Sequence, residues 1–251
     1  MAFDSGSGTQ MWSARTSSEI LAAPVAEDGI VVVRSIDGRV FGLDQGTGNR
    51  VWVYDHAVPL LTLRGNSQPL VRAGIVYLGY DGGEVVALNL VDGTLIWEQK
   101  VVSTEGRSEL ERLADIDGQL VIVASDLLVS SYKNRLASLA ADSGRLLWFK
   151  DISSATGVTI DRINLAVADR EDNVWLLDRR NGATLWMQDQ LVNRSLTRPR
   201  PNLSRPVPTA ALYSAVVAFR LSASMPKKYA NSSIVSDLWT MSASRHSEKR
   251  G

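Results

Sequence analysis

Five times along this 251-residue chain the same twelve-residue phrase recurs, and each copy closes on a tryptophan. The copies are MAFDSGSGTQMW, FGLDQGTGNRVW, VALNLVDGTLIW, ASLAADSGRLLW and WLLDRRNGATLW, ending at Trp12, Trp52, Trp97, Trp148 and Trp186. They align without a gap. A glycine stands four residues before each Trp (Gly8, Gly48, Gly93, Gly144, Gly182), and Phe3, Leu43, Leu88, Leu139 or Leu177 stands nine before it. Eight before it stands Asp4, Asp44, Asn89 or Asp178, with Ala140 the one exception. Self-similarity at a period of about 40–50 residues signals stacked supersecondary units, so the fold is read from the repeat.

Each phrase converts into strands and turns. Asp37-Gly38, Gly82-Gly83, Lys133-Asn134 and Glu171-Asp172 precede the second to fifth phrases. Gly and Asn accept positive φ, so these pairs are expected to be two-residue hairpin tips. Short apolar runs such as Val40-Phe41-Gly42-Leu43 and Val85-Val86-Ala87-Leu88 follow the tips. Matching runs precede them at Ile30–Val33, Ile75–Leu78, Leu127–Val129 and Ile163–Val167. Their length suits strands. A bend at Asp/Asn-x-x-x-Gly then leads into a last strand ending on the Trp. One repeat is thus about four antiparallel strands, which is one propeller blade, and the fold class is an all-β propeller. A large side chain recurring at one place in every unit is expected to wedge between neighbouring blades. Gly6-Ser7-Gly8 and Gly46-Thr47-Gly48 lack the G-x-G-x-x-G spacing and open no helix, so they serve turn geometry and not phosphate binding.

Composition removes several classes of function. Lys plus Arg and Asp plus Glu both number 27, which argues against a general nucleic-acid or membrane-surface polycation. Cysteine is absent, excluding disulfides, thiolate metal sites and a cysteine nucleophile. The two histidines, His56 and His246, lie far apart, against a histidine metal site or a Ser-His-Asp triad. No cofactor is expected. No apolar run approaches the ~20 residues of a membrane span.

The pattern changes at both ends. Met1 leads at once into the middle of a repeat, so the chain is expected to lack a secretory leader and the strands that begin that blade. Residues 1–199 read as a partial propeller, about four blades plus the end of a preceding one. From Arg200 the phrase is lost: Trp239 has Val235, not glycine, four residues earlier. Residues 200–251, rich in Ser, Ala and basic side chains, are expected to be a largely disordered tail, frameshifted or unrelated in origin. Ala210–Leu221 is its most apolar stretch.

Two connections between repeats depart from the minimal pattern, and binding residues concentrate in such loops. The first is Pro59 to Ser67, apolar with Arg64 among it; the second is Glu105 to Asp117, with alternating charges. Ser108 followed by Glu111 is a capping-box signature, predicting a short helix over Glu109–Leu113. Charged surface loops with ion pairs would look the same. Apolar anchors beside an arginine also suit a protein-binding patch.

The core Leu-Asp-x-x-x-Gly-x-x-x-Trp resembles the pyrroloquinoline-quinone-type propeller repeat. LTLRGNSQP at 61–69 and GRSELERLADIDG at 106–118 resemble the insertions that distinguish one family within it, the BamB outer membrane protein assembly factors. The resemblance covers residues 2 to about 199. It implies a non-enzymatic scaffold, a lipoprotein at the periplasmic face of the outer membrane. Its partners would be the POTRA domains of the central barrel subunit of the assembly complex and unfolded outer membrane protein clients. The family's partner-binding positions fall here on Leu61, Leu63, Arg64, Asp115 and Asp117. Arg64 pairing internally with Asp115 or Asp117 is the alternative to direct contact. Family members have eight blades, a signal peptide and a lipidated cysteine, so this chain is expected to be incomplete relative to that parent. The rival reading is a propeller fragment of a quinone-dependent dehydrogenase, which generally needs calcium held by oxygen ligands.

Overall fold

The computed structural model describes residues 1–57, 67–80, 82–101, 116, 120–131, 135–152, 154, 158–160, 163–169, 171 and 173–188. The chain forms two compact units, residues 1–155 and 156–251. In the first unit, β1 (Ala2–Phe3) and β2 (Gln10–Trp12) form a two-stranded sheet. Three four-stranded antiparallel sheets follow, each in simple sequence order. They are β3 (Val25–Glu27), β4 (Ile30–Arg34), β5 (Val40–Asp44), β6 (Arg50–Tyr54); then β7 (Leu70–Arg72), β8 (Ile75–Gly79), β9 (Glu84–Asn89), β10 (Leu95–Lys100); then β11 (Val121–Val123), β12 (Asp126–Ser130), β13 (Leu136–Ala140), β14 (Leu146–Lys150). The second unit contains one more such sheet: β15 (Val158–Ile160), β16 (Asn164–Ala168), β17 (Val174–Asp178), β18 (Thr184–Gln188). Among the described residues there is no helix, and the meandering four-stranded sheets are propeller blades.

The twelve-residue phrase is the third and fourth strands of each blade with the turn between them. In that turn the glycine takes φ between +69° and +73° and its N–H bonds back to the carbonyl four residues earlier, as Gly48 does to Asp44 at 2.8 Å. The aspartate side chain caps the same turn: Asp44 Oδ1 accepts from the N–H of Gly46 and Thr47 and from the Thr47 hydroxyl. Asp4 accepts the equivalent three bonds from Gly6 and Ser7. These donors hold the carboxyls of Asp4 and Asp44 below the ordinary carboxylate value. Register then slips by one residue just before the Trp in every copy, for instance between Gly42↔Trp52 and Leu43↔Arg50. Such a bulge re-aims the side chain that follows it.

In the first unit the re-aimed Trp12, Trp52 and Trp97 each join one blade to the next. Trp12 Nε1 donates to the Gln45 carbonyl, Trp52 Nε1 to Leu90 and Trp97 Nε1 to Ala141, at 2.9, 2.8 and 3.0 Å. Each indole also lies flat against the phrase glycine of the following blade. A Cβ on Gly93 would come within 2.6 Å of Trp52 Cε3, and one on Gly144 within 2.5 Å of Trp97 Cε3. Between blades the inner strands are buried on both faces. Val32, Val40 and Trp52 pack with Val76, Leu78, Val86 and Leu88, while Val85, Ala87 and Trp97 pack with Leu127, Val129, Ala137 and Leu139. Burying one such side chain contributes roughly 1.5–3 kcal/mol, so these interfaces carry much of the stability of the first unit.

The hairpin tips differ from expectation. The β4–β5 loop is not a two-residue turn: Ser35 N–H pairs with the Arg39 carbonyl and Gly38 N–H with Ser35. Gly38 and Gly83 have positive φ, whereas Asp37 does not. Paired positive φ occurs at the opposite end of the sheets, at Asp28-Gly29 and Ala73-Gly74, where the loops are the two-residue kind. The capping-box segment Glu109–Leu113 and residues 200–251 lie outside the described residues.

Candidate functional site

The register of the blades fixes where the two irregular connections leave the sheets. Val40 is opposite Tyr54 and Glu84 is opposite Lys100, so β6 and β10 both end beside the β4–β5 and β8–β9 tips. Each connection to the next blade therefore starts at that one end of its sheet. The five residues assigned to partner binding from sequence, Leu61, Leu63, Arg64, Asp115 and Asp117, lie outside the described residues. The structure does describe Ser67, three positions after Arg64, and Ile116, the residue between the two aspartates.

Ser67 and Ile116 meet at the end of β8. Ser67 Oγ donates to the Gly79 carbonyl at 3.2 Å. Ile116 is fully buried, and a Cβ on Gly79 would lie 2.5 Å from its Cγ2. The Ile116 N–H reaches the Tyr80 carbonyl at 3.4 Å. Gly79 does not have positive φ, so here glycine is required by close approach and not by backbone conformation. Ser67, the last residue of the first insertion, and Ile116, inside the second, are thus both seated against Gly79.

The previous blade contributes a buried arginine to this point. Arg34, 2% exposed at the end of β4, donates from Nη1 to the Gly79 carbonyl at 2.5 Å and to Ser67 Oγ at 3.4 Å. Its guanidinium lies 4.4 Å from the centre of the Tyr80 ring. The His56 ring packs on Tyr80 with centroids 3.8 Å apart, and Tyr54 stacks beyond it at 6.3 Å. The Tyr80 hydroxyl donates to the Gly38 carbonyl at the neighbouring tip. Tyr54, His56, Tyr80 and Arg34 thus form one continuous stack beside the start of the first insertion. Burial pushes the His56 pKa below its ordinary value of 6.5, with Arg34 acting in the same direction and Glu98 and Glu84 opposing. The imidazole is therefore mainly neutral near pH 7, which suits a ring packed against a phenol.

Sequence reasoning did not single out Arg34, Gly79 or Tyr80, although a signal was present. The four second strands end on Arg34, Gly79, Ser130 and Ala168. Three of these residues are small and one is arginine, a departure of the same kind as the insertions themselves. Among the described residues no group of three His, Cys, Asp or Glu could hold a metal ion.

The family described as "Outer membrane protein assembly factor BamB" matches residues 1–188. The protein of that name from Xanthomonas campestris is 41% identical over 197 residues, covering 78% of this chain and 48% of the relative. The crystal structure of BamB from Moraxella catarrhalis superposes with a TM-score of 0.69 at 29% identity, covering 74% of this chain and 56% of that one. Quinohemoprotein alcohol dehydrogenase from Comamonas testosteroni superposes with a TM-score of 0.55 at 17% identity, covering 70% of this chain and 36% of that one, a likeness of fold alone. The chain spans about half the length of the curated relatives it matches.

Proposed function

Because this chain belongs to the BamB family of outer membrane protein assembly factors, we propose that it acts as a non-enzymatic scaffold in the insertion of outer membrane β-barrels. Its partner in this reading is the set of POTRA domains of the central barrel subunit, met at the periplasmic face of the outer membrane, with unfolded barrel clients nearby. Leu61 and Leu63 supply apolar anchors, Arg64 a forked donor, and Asp115 and Asp117 either charge partners or fasteners of the second insertion. One observation carries the proposal: one residue of each insertion, Ser67 at the end of the first and Ile116 inside the second, packs against the same residue, Gly79. Two binding segments rooted together can act as one patch, which two unrelated surface loops would have no reason to do.

The test is a titration of the 251-residue chain with isolated POTRA domains, with Leu63→Ala/Arg64→Ala as the comparison. Saturable binding that the double variant loses by about tenfold or more is the expected result, since anchor residues of this type dominate interface energies. Equal binding by both chains would remove these residues from the interface. No binding by a folded wild-type chain would overturn the scaffold assignment.

A further inference from the structure

Arg34, Gly79, Tyr80 and Ile116 are all deeply buried or fill buried space, and none is among the residues assigned to partner contact. Their arrangement has a feature that ordinary core packing does not require. Arg34 comes from the first four-stranded blade, Gly79 and Tyr80 from the second, Ser67 ends one insertion and Ile116 lies inside the other. A buried guanidinium is costly to place unless its hydrogen bonds are met, and a leucine or methionine would fill such a position at lower cost. Here one guanidinium nitrogen reaches both the Gly79 carbonyl and the Ser67 hydroxyl, while the central carbon of the group lies over the Tyr80 ring. The missing Cβ of Gly79 is the space that Ile116 fills.

Resting on the scaffold reading above, we propose that Arg34 and Gly79 are positioning residues that fix Ser67 and Ile116, one residue from each partner-binding segment, to a single point. The lock acts through Ser67 on the first segment and through Ile116 on the second. Neither Arg34 nor Gly79 touches the partner. Their contribution is to hold Ser67 and Ile116 in place before a partner arrives, which lowers the conformational cost of binding.

Gly79→Ala is the sharpest perturbation. Its backbone is compatible with alanine, but the new Cβ occupies the place of Ile116 Cγ2. Hydrogen exchange is measured at the Ile116 amide and at the blade amides of Val76 and Val86, alongside the POTRA-domain titration. Protection at Ile116 is expected to fall by about tenfold or more while Val76 and Val86 stay within about twofold, as for a local opening. Affinity for the POTRA domains is expected to fall by about tenfold, because ordering is again required on binding. Arg34→Lys keeps the charge but loses the planar fork, and should shift both readings in the same direction. Unchanged protection at Ile116 in both variants would overturn the lock, as would a uniform loss across Val76, Val86 and Ile116, which marks a general core role. Loss of Ile116 protection with unchanged affinity would overturn its part in binding. Failure of the wild-type chain to bind POTRA domains overturns the scaffold reading and with it the role of the lock in binding. The exchange measurement separates that failure from failure of the lock itself.

Discussion

Replacing Gly93 with alanine isolates the joint between blades. Gly93 has φ +71°, and its Cβ would lie 2.6 Å from Trp52 Cε3 and 2.7 Å from Cδ2, inside the indole ring of the preceding blade. Two costs follow. Left-handed backbone at a non-glycine residue costs about 1–2 kcal/mol. Displacing the indole breaks the buried Nε1 bond to the Leu90 carbonyl, which costs roughly 1–3 kcal/mol when a buried partner is orphaned. With some loss of ring packing added, the expected destabilisation is about 3–5 kcal/mol, in the range of removing a large core side chain. Gly74→Ala supplies the comparison. Gly74 sits in the same blade at φ +75° with nothing within 4 Å of its Cβ, so it carries the backbone strain alone. Urea unfolding followed by tryptophan fluorescence and by circular dichroism gives both values. Equal destabilisation by the two substitutions would refute the reasoning, because the indole would then add nothing.

Two further outcomes are expected. Ala140→Asp restores the side-chain acceptor that Asp44 provides in its own turn, and should stabilise the chain by roughly 0.5–1 kcal/mol, within the usual gain from optimising a local cap; an unchanged or lower urea midpoint would contradict the turn assignment. His56 is held neutral by burial, so the unfolded chain binds more protons below its ordinary value of 6.5. Its contribution to stability is therefore complete above that value and is lost as pH falls through it towards the depressed folded pKa. His56→Phe keeps the stack on Tyr80 without a titrating group, and its urea midpoint should fall less than that of the wild type between about pH 7.5 and pH 5.5. Parallel midpoints for the two chains would remove His56 as the source of the dependence.

Much of the blade was legible in the residues because its information is local and repeated. The spacing of Asp44, Gly48 and Trp52 specifies a turn, a positive-φ glycine and a strand end within twelve residues, and four further copies state the same geometry. Bonds such as Gly48 N–H to the Asp44 carbonyl span so few residues that pattern alone reveals them. The tips were less legible. Asp37-Gly38 and Gly82-Gly83 carry the residues of a two-residue turn, yet the strand pairing begins further back, at Ser35 and Tyr80, and only register decides that. Ala73-Gly74, where the two-residue turn does occur, has a weaker composition signal.

By itself, then, the amino-acid sequence determined the repeat, the all-β blade and the two connections that break the pattern. Tertiary structure decided what those features touch. That Trp52 seats on Gly93, and Trp97 on Gly144, depends on the distance between stacked sheets, which no twelve-residue phrase encodes. That Arg34, Ser67, Gly79 and Ile116 share one point depends on bringing together residues up to 82 positions apart, the separation of Arg34 from Ile116. Close packing selects such partners by shape and by the hydrogen bonds that buried polar groups can find, and both conditions exist only once the blades have stacked.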